Sequence, residues 1–122
     1  MTPQVTGRVV IAASVPRFSA GILRVRLEDV SYADARATVL AQIELPGIAH
    51  DPSALTDAET GTVVSFSLTP SRDIEPDHDY SVRASLERGG DRESGRDQWQ
   101  SDRSYPVLTR GFGSDVTVTI VA

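Results

Sequence analysis

A chain of 122 residues with a net charge of −5 and no cysteine is sized for one domain, whose core is large enough to fold without a metal or a disulfide. The acidic balance speaks against nucleic acid, which needs a basic footprint, and against an electrostatic membrane anchor. The absence of thiols excludes disulfides, thiolate metal sites and a lipidated Cys.

No stretch approaches the ~20 apolar residues of a membrane span. The opening MTPQVTGRVV lacks the basic start, apolar core and small-residue cleavage site of an export signal. As written, the chain is expected to be soluble, and cytoplasmic if Met1 is the native start.

In chain order the dominant signal is a period of two. VTGRVVIAA puts Val5, Gly7, Val9 and Ile11 on one face. ILRVRLED sets Leu23, Val25 and Leu27 against Arg24, Arg26 and Glu28, the pattern of a half-buried strand. TVLAQIEL gives Val39, Ala41, Ile43 and Leu45 inside, and TVVSFSLT gives Val64, Phe66 and Leu68. DYSVRASLE places Tyr80, Val82, Ala84 and Leu86 inside, with Ser81, Arg83, Ser85 and Glu87 outside. QWQSDRSY is a weaker strand with Trp99 inward, and DVTVTIV carries Val116, Val118 and Ile120 inside. About seven strands with turn residues between them predict an all-β fold. The expected form is one antiparallel β-sandwich over residues 1–122, immunoglobulin- or transthyretin-like in architecture.

Two connections allow short helices: YADARA, and a turn begun at Ser53 in PSALTDAE. In YPVLTRGFGSD, Pro106 lacks a backbone donor and belongs at an edge or in a connection. Val107 and Leu108 are expected to tuck inward, and Gly111 and Gly113 to supply turn geometry.

Several segments together resemble the YscW/YbaY family of bacterial envelope lipoproteins and type III secretion pilotins. They are VTGRVVI, VPRFSAGILRVRLEDVSYADARATVLAQ, VSFSLTPSRDIEPDHDYSVRASLE and YPVLTRG. The resemblance implies a non-enzymatic β-sandwich, periplasmic or associated with the outer membrane. It also implies a protein partner: a secretin subunit, which pilotin members help to carry to the outer membrane, or another envelope protein.

The residues that could carry chemistry form no complete constellation. DIEPDHDY gathers Asp73, Glu75, Asp77, His78 and Asp79, oxygen and nitrogen donors of the kind cations take. The EF-hand spacing is absent, so a polar loop entering a strand explains them and no metal site is expected. A Ser-His-Asp arrangement would have to use His50 or His78 with Asp51, Asp77 or Asp79, and no G-x-S-x-G elbow exists. With no Lys in the chain, GFG is not a phosphate cradle. RGGDRESGR nearly cancels its own charge and reads as a solvated hairpin tip.

Trp99 is read first as a core plug and second as a partner anchor. Phe18 and Phe112 are placed in loops, where exposed aromatics would mark an interaction site. The expected function is therefore a non-catalytic protein-binding module, with Phe18, Phe112 and Trp99 as candidate contacts and no cofactor. Its partner would dock as a strand added to an exposed edge or as an amphipathic helix in an apolar groove. Two alternatives stand beside it. One is a structural or self-associating domain, monomeric or weakly homodimeric. The other is a small metal-dependent hydrolase built on Asp77, His78 and Asp79.

Overall fold

The described residues form eight strands: β1 (Val5–Ala12), β2 (Phe18–Asp29), β3 (Thr38–His50), β4 (Gly61–Leu68), β5 (Tyr80–Arg88), β6 (Gln98–Gln100), β7 (Tyr105–Val107) and β8 (Asp115–Ile120). The computed structural model describes residues 4–31, 37–54, 61–88 and 98–121. The strands form two sheets, a three-stranded one ordered β4-β1-β8 and a five-stranded one ordered β3-β2-β5-β6, with β7 also pairing β5.

The alternation in the sequence decides which faces meet. Leu23, Val25 and Leu27 of β2 are fully buried, while Arg24 and Arg26 between them face out. Val82, Ala84 and Leu86 of β5 join them from the same sheet. Val5, Val9 and Ile11 of β1, with Val118 and Ile120 of β8, oppose them. Removing such side chains from water supplies about 1.5–3 kcal/mol for each one fully buried. The result is a sandwich with one continuous core.

The structure departs from strict antiparallel pairing at one place. β1 and β8 run parallel, from Thr6 opposite Asp115 to Ile11 opposite Ile120. The strand before β8 lies in the other sheet, so β8 enters by a crossover and no hairpin dictates its direction. Gly7 makes this pairing possible, since a Cβ there would sit 1.9 Å from the Val116 carbonyl oxygen.

QWQSDRSY is two short strands rather than one. β6 and β7 both pair β5, with Leu86 opposite Trp99 and Val82 opposite Tyr105. Pro106 lies opposite Ser81 in β7, whose only partner among the described strands is β5. That is the edge position a missing donor requires. Val107 is buried and Leu108 half-buried. Gly111 takes a φ of 87°, but the other left-handed residues of this turn are Leu108 and Arg110, at 72° and 59°, and not Gly113. Such backbone in a non-glycine residue costs about 1–3 kcal/mol. The turn is tied down by Arg110, which donates to Asp79 Oδ1 at 2.8 Å and to the Asp77 carbonyl at 2.6 Å.

β3 breaks its own alternation. Leu27 faces Ala41 and Glu28 faces Val39, so Leu40 is the extra residue of a β-bulge. Leu40 turns inward at 2% exposure, whereas Val39, expected inside, is 44% exposed. Ala41, Ile43 and Leu45 keep their inward direction and pack partly buried against the core. Ser81, expected outside, is buried at 3%.

The helical turn expected at Ser53 is a 3-10 turn over Pro52–Ala54. Asp51 caps it, accepting from the Ser53 amide at 3.0 Å and the Ser53 hydroxyl at 2.7 Å. The expected YADARA helix and the RGGDRESGR hairpin tip fall mainly on residues 32–36 and 89–97, outside the described residues.

Candidate functional site: an open seam between two sheet edges

The two sheets have two seams, and among the described residues only one is closed. On the closed side, Ser101 donates its amide to the Ala84 carbonyl at 2.8 Å and bridges Ile120 of β8. Asp102 donates to the Thr119 carbonyl at 3.0 Å, and the Tyr105 hydroxyl accepts from the Thr119 amide at 3.1 Å while donating to Asp102 Oδ1. The segment between β6 and β7 thus ties the large sheet to the edge of the small one.

On the other side, β3 and β4 end their sheets without pairing each other. They are fastened only near the ends of the gap among the described residues. The Ser71 amide donates to the Leu40 carbonyl at 2.9 Å, and His50 Nδ1 meets the Thr62 hydroxyl at 2.7 Å. Between these ties runs a groove of about 610 Å³ lined by Ile43, Glu44 and Leu45 of β3 and Ser65, Phe66 and Ser67 of β4. The two ties, at Leu40 and His50, stand about 30 Å apart along β3 at the usual rise of a strand, and the groove occupies the middle of that span.

The two edges differ. β3 carries Pro46 and, after it, Gly47 at a φ of 72°, and its register shifts between Gly21 and Leu23 of its partner. A proline and a bulge interrupt an edge against further pairing. β4, with the sequence GTVVSFSL, has no proline and no charge, and its register with β1 runs unbroken from Val5–Leu68 to Ala12–Gly61. Val63 of β4 is 56% exposed.

The aromatic residues singled out in the sequence separate. Phe18 is the first residue of β2 rather than a loop residue. Phe18 and Trp99 are buried at 5% and 7% and stack with ring centroids 6.2 Å apart. Phe112 is 50% exposed, at the tip of the turn before β8, and the structure does not bring it to the other two.

The two histidines also part. His50 is buried at 1%, with Nε2 at 3.0 Å from the Val15 carbonyl and Nδ1 on Thr62. A carbonyl only accepts, so Nε2 carries hydrogen, and in the neutral ring Nδ1 accepts the hydrogen bond that the Thr62 hydroxyl donates. His50 is a structural bridge whose two nitrogens are both engaged.

His78 is oriented by a residue that sequence reasoning missed. Asp29 Oδ2 lies 2.7 Å from its Nδ1, and Asp29 is not among Asp51, Asp77 and Asp79, the carboxylates the sequence offers a histidine. Asp29 also accepts from the Ser31 amide at 3.0 Å, and Ser31 Oγ accepts from the Asp79 amide at 2.9 Å. Donor atoms of Glu75, Asp77 and His78 fall within 4.8 Å of one another, while the Asp79 carboxylate holds Arg110 and Asp73 is not in that group. This arrangement pins the loop before β5 to the end of β2. The one available signal was the L-x-D-V-S stretch at the end of β2, whose Asp and Ser both join the network.

No helix among the described residues is long and apolar enough to cross a membrane. None of the curated proteins matches the chain. Among solved structures it is similar to an alternative pilotin from the type II secretion system of Vibrio cholerae, with a TM-score of 0.70 and 25% identity over 99% of this chain and 96% of that one. The model of the type III secretion system lipoprotein chaperone YscW matches residues 1–120. A match that runs nearly end to end, on a fold that agrees, means that the chain belongs to the YscW family.

Proposed function

We propose that the protein is a non-catalytic, secretion-associated chaperone that holds an apolar segment of a secretin, or of another envelope protein, along the open β3–β4 seam. The observation that carries this reading is the asymmetry of the two seams: one is stitched shut and the other is an apolar groove between unpaired edges. The family's description as a chaperone, and a similar solved structure that is a pilotin, support this class of partner.

The physics of the edges favours strand addition over a docked helix. An extended segment laid against β4 pairs its backbone with a row of free donors and acceptors and drops alternate side chains between Ile43, Leu45 and Phe66. β3, broken by Pro46 and its bulge, forms the opposite wall.

The test is calorimetric binding of a purified secretin subunit to the wild type and to Ile43→Glu and Leu45→Lys, with thermal melts to verify folding. Each substitution places a charge in the groove from a half-buried position, and each is expected to weaken binding about tenfold or more. Phe112→Ala measures separately whether the exposed turn aromatic takes part. Folded groove variants that bind a verified partner as well as the wild type does would remove the seam as the site.

A further inference from the structure

The outer face of the five-stranded sheet carries an arrangement that sheets avoid. Arg26 of β2 and Arg83 of β5 are direct cross-strand partners. Their Cβ atoms therefore leave the same face about 5 Å apart, a placement in which like charges destabilise the pair. Neighbouring Arg24 is neutralised by Glu87 at 2.8 Å, with Glu44 at 3.6 Å. Among the described residues Arg83 has only Glu28 at 4.0 Å, with 59% of its side chain exposed, and gives its Nε to Ser104 Oγ at 2.9 Å.

Arg26 donates to the neutral Gln42 at 2.9 Å and ion-pairs with no carboxylate among the described residues. Nor does Arg103, whose guanidinium lies 5.1 Å from the centroid of the Tyr105 ring. These three arginines surround a concavity of about 390 Å³ that Ser85, Gln100 and Ser101 also line. Two carboxylates reach it and both are engaged, Glu87 by Arg24 and Asp102 by the Tyr105 hydroxyl. Ser101 Oγ accepts from the Ala84 amide at 3.3 Å, which leaves its own hydrogen to donate.

We infer that this concavity binds a doubly charged oxyanion, phosphate or a phosphate monoester, between Arg26, Arg83 and Arg103. Guanidinium forks match the oxygen geometry of carboxylates and phosphates. The charge decides between them. A carboxylate compensates one guanidinium and leaves the facing one repelled, whereas a phosphate monoester carries about −1.5 to −2 near neutral pH. Hydroxyl and amide donors at Ser101 and Gln100 supply further hydrogen bonds to its oxygens. The site lies on the outer face of one sheet, apart from the β3–β4 seam, and does not depend on the function proposed there.

The test has two arms, both with the whole protein at low ionic strength. Inorganic phosphate is titrated by calorimetry, and the protein is co-sedimented with phosphatidylcholine vesicles with and without phosphatidic acid, whose headgroup is a phosphate monoester. Arg26→Gln and Arg83→Gln are each expected to weaken binding about tenfold or more, as losing charge-assisted hydrogen bonds does. Arg8→Gln on the other sheet makes the same change in net charge and is expected to bind as the wild type does.

Saturable phosphate binding without vesicle binding assigns a soluble ligand. Vesicle binding that depends on phosphatidic acid assigns a lipid headgroup. Either supports the site. In phosphate-free buffer Arg26→Gln is expected to melt at the wild-type temperature or above, because it relieves repulsion. Absence of saturable binding in both arms, or Arg26→Gln and Arg83→Gln variants that bind like the wild type, overturns the inference.

Discussion

Asp29 and His78 stand 49 positions apart in sequence and meet at 2.7 Å. The contact fastens the end of β2 to the loop before β5, and it makes stability depend on pH. Burial pushes the Asp29 carboxyl up, but hydrogen bonds from Ser31 and His78 outweigh it and hold it below the ordinary 3.8. The hydrogen bond to Asp29, against the cost of desolvation, raises His78 above the ordinary 6.5, aided by the charges of Asp29, Asp77 and Glu75.

The signs give a window. His78 holds its proton more tightly folded than unfolded, so its contribution is fully present below 6.5 and is lost as pH rises through the raised folded value. Asp29 contributes above 3.8 and loses its contribution as pH falls through the lowered folded value. Melting temperature is therefore expected to peak in mildly acidic solution and to decline on both sides. Asp29→Asn should flatten the neutral-side decline; a variant that keeps the wild-type profile would show that the pair is not its cause.

Ser81→Ala is expected to stabilise the fold or leave it unchanged, by up to about 1 kcal/mol, since a buried polar atom without a partner costs free energy that a methyl group does not. Ser81 Oγ is buried and makes no hydrogen bond among the described residues. Urea unfolding decides the sign. A loss above about 1 kcal/mol would mean that the hydroxyl is satisfied in solution, by water for example.

Trp99→Ala and Phe112→Ala should separate cleanly. Trp99 is 7% exposed and Phe112 50% exposed. Truncating the first is expected to cost about 3–5 kcal/mol, and truncating the second no more than about 0.5 kcal/mol. Thermal and chemical melts measure both. A large loss at Phe112 would mean that its ring is held against the fold.

Gly7→Ala tests the parallel pairing. Its Cβ would meet the Val116 carbonyl oxygen at 1.9 Å, so β1 and β8 must move apart. A loss of about 1–3 kcal/mol or more is expected, with amide exchange rising first along β8. Wild-type protection of β8 in this variant would contradict the close approach.

Where one face of a strand is apolar and the other polar, the sequence was readable. β2 and β5 show it, because a register slip by one residue would bury Arg24 or Arg83. The Pro106 position was also legible, since a missing donor restricts a residue to few places. β3 was legible from Ala41 onward but not at Val39, because the bulge at Leu40 moves the buried side by one residue and nothing in TVLAQIEL marks which residue is extra. Ser81 failed for a related reason: alternation reports direction, and burial depends on what lies above. Asp29 with His78, the cross-strand pair Arg26 and Arg83, and the facing of β3 and β4 all depend on strand order, which local pattern does not carry. The resemblance found in several separate segments named the family, while the seam came only from the assembled sheets.

The parallel pairing of β1 with β8 also bears on how the molecule is made. β1 is the middle strand of its sheet, and one of its two neighbours is the last strand of the fold. During synthesis the first strand therefore waits, half-paired at most, until the eighth has emerged. Contacts this distant in sequence make folding slow, on the scale of milliseconds to seconds. Through that interval the uncharged strand GTVVSFSL is without its finished sheet, so a nascent chain of this protein is itself a candidate for protection by a chaperone.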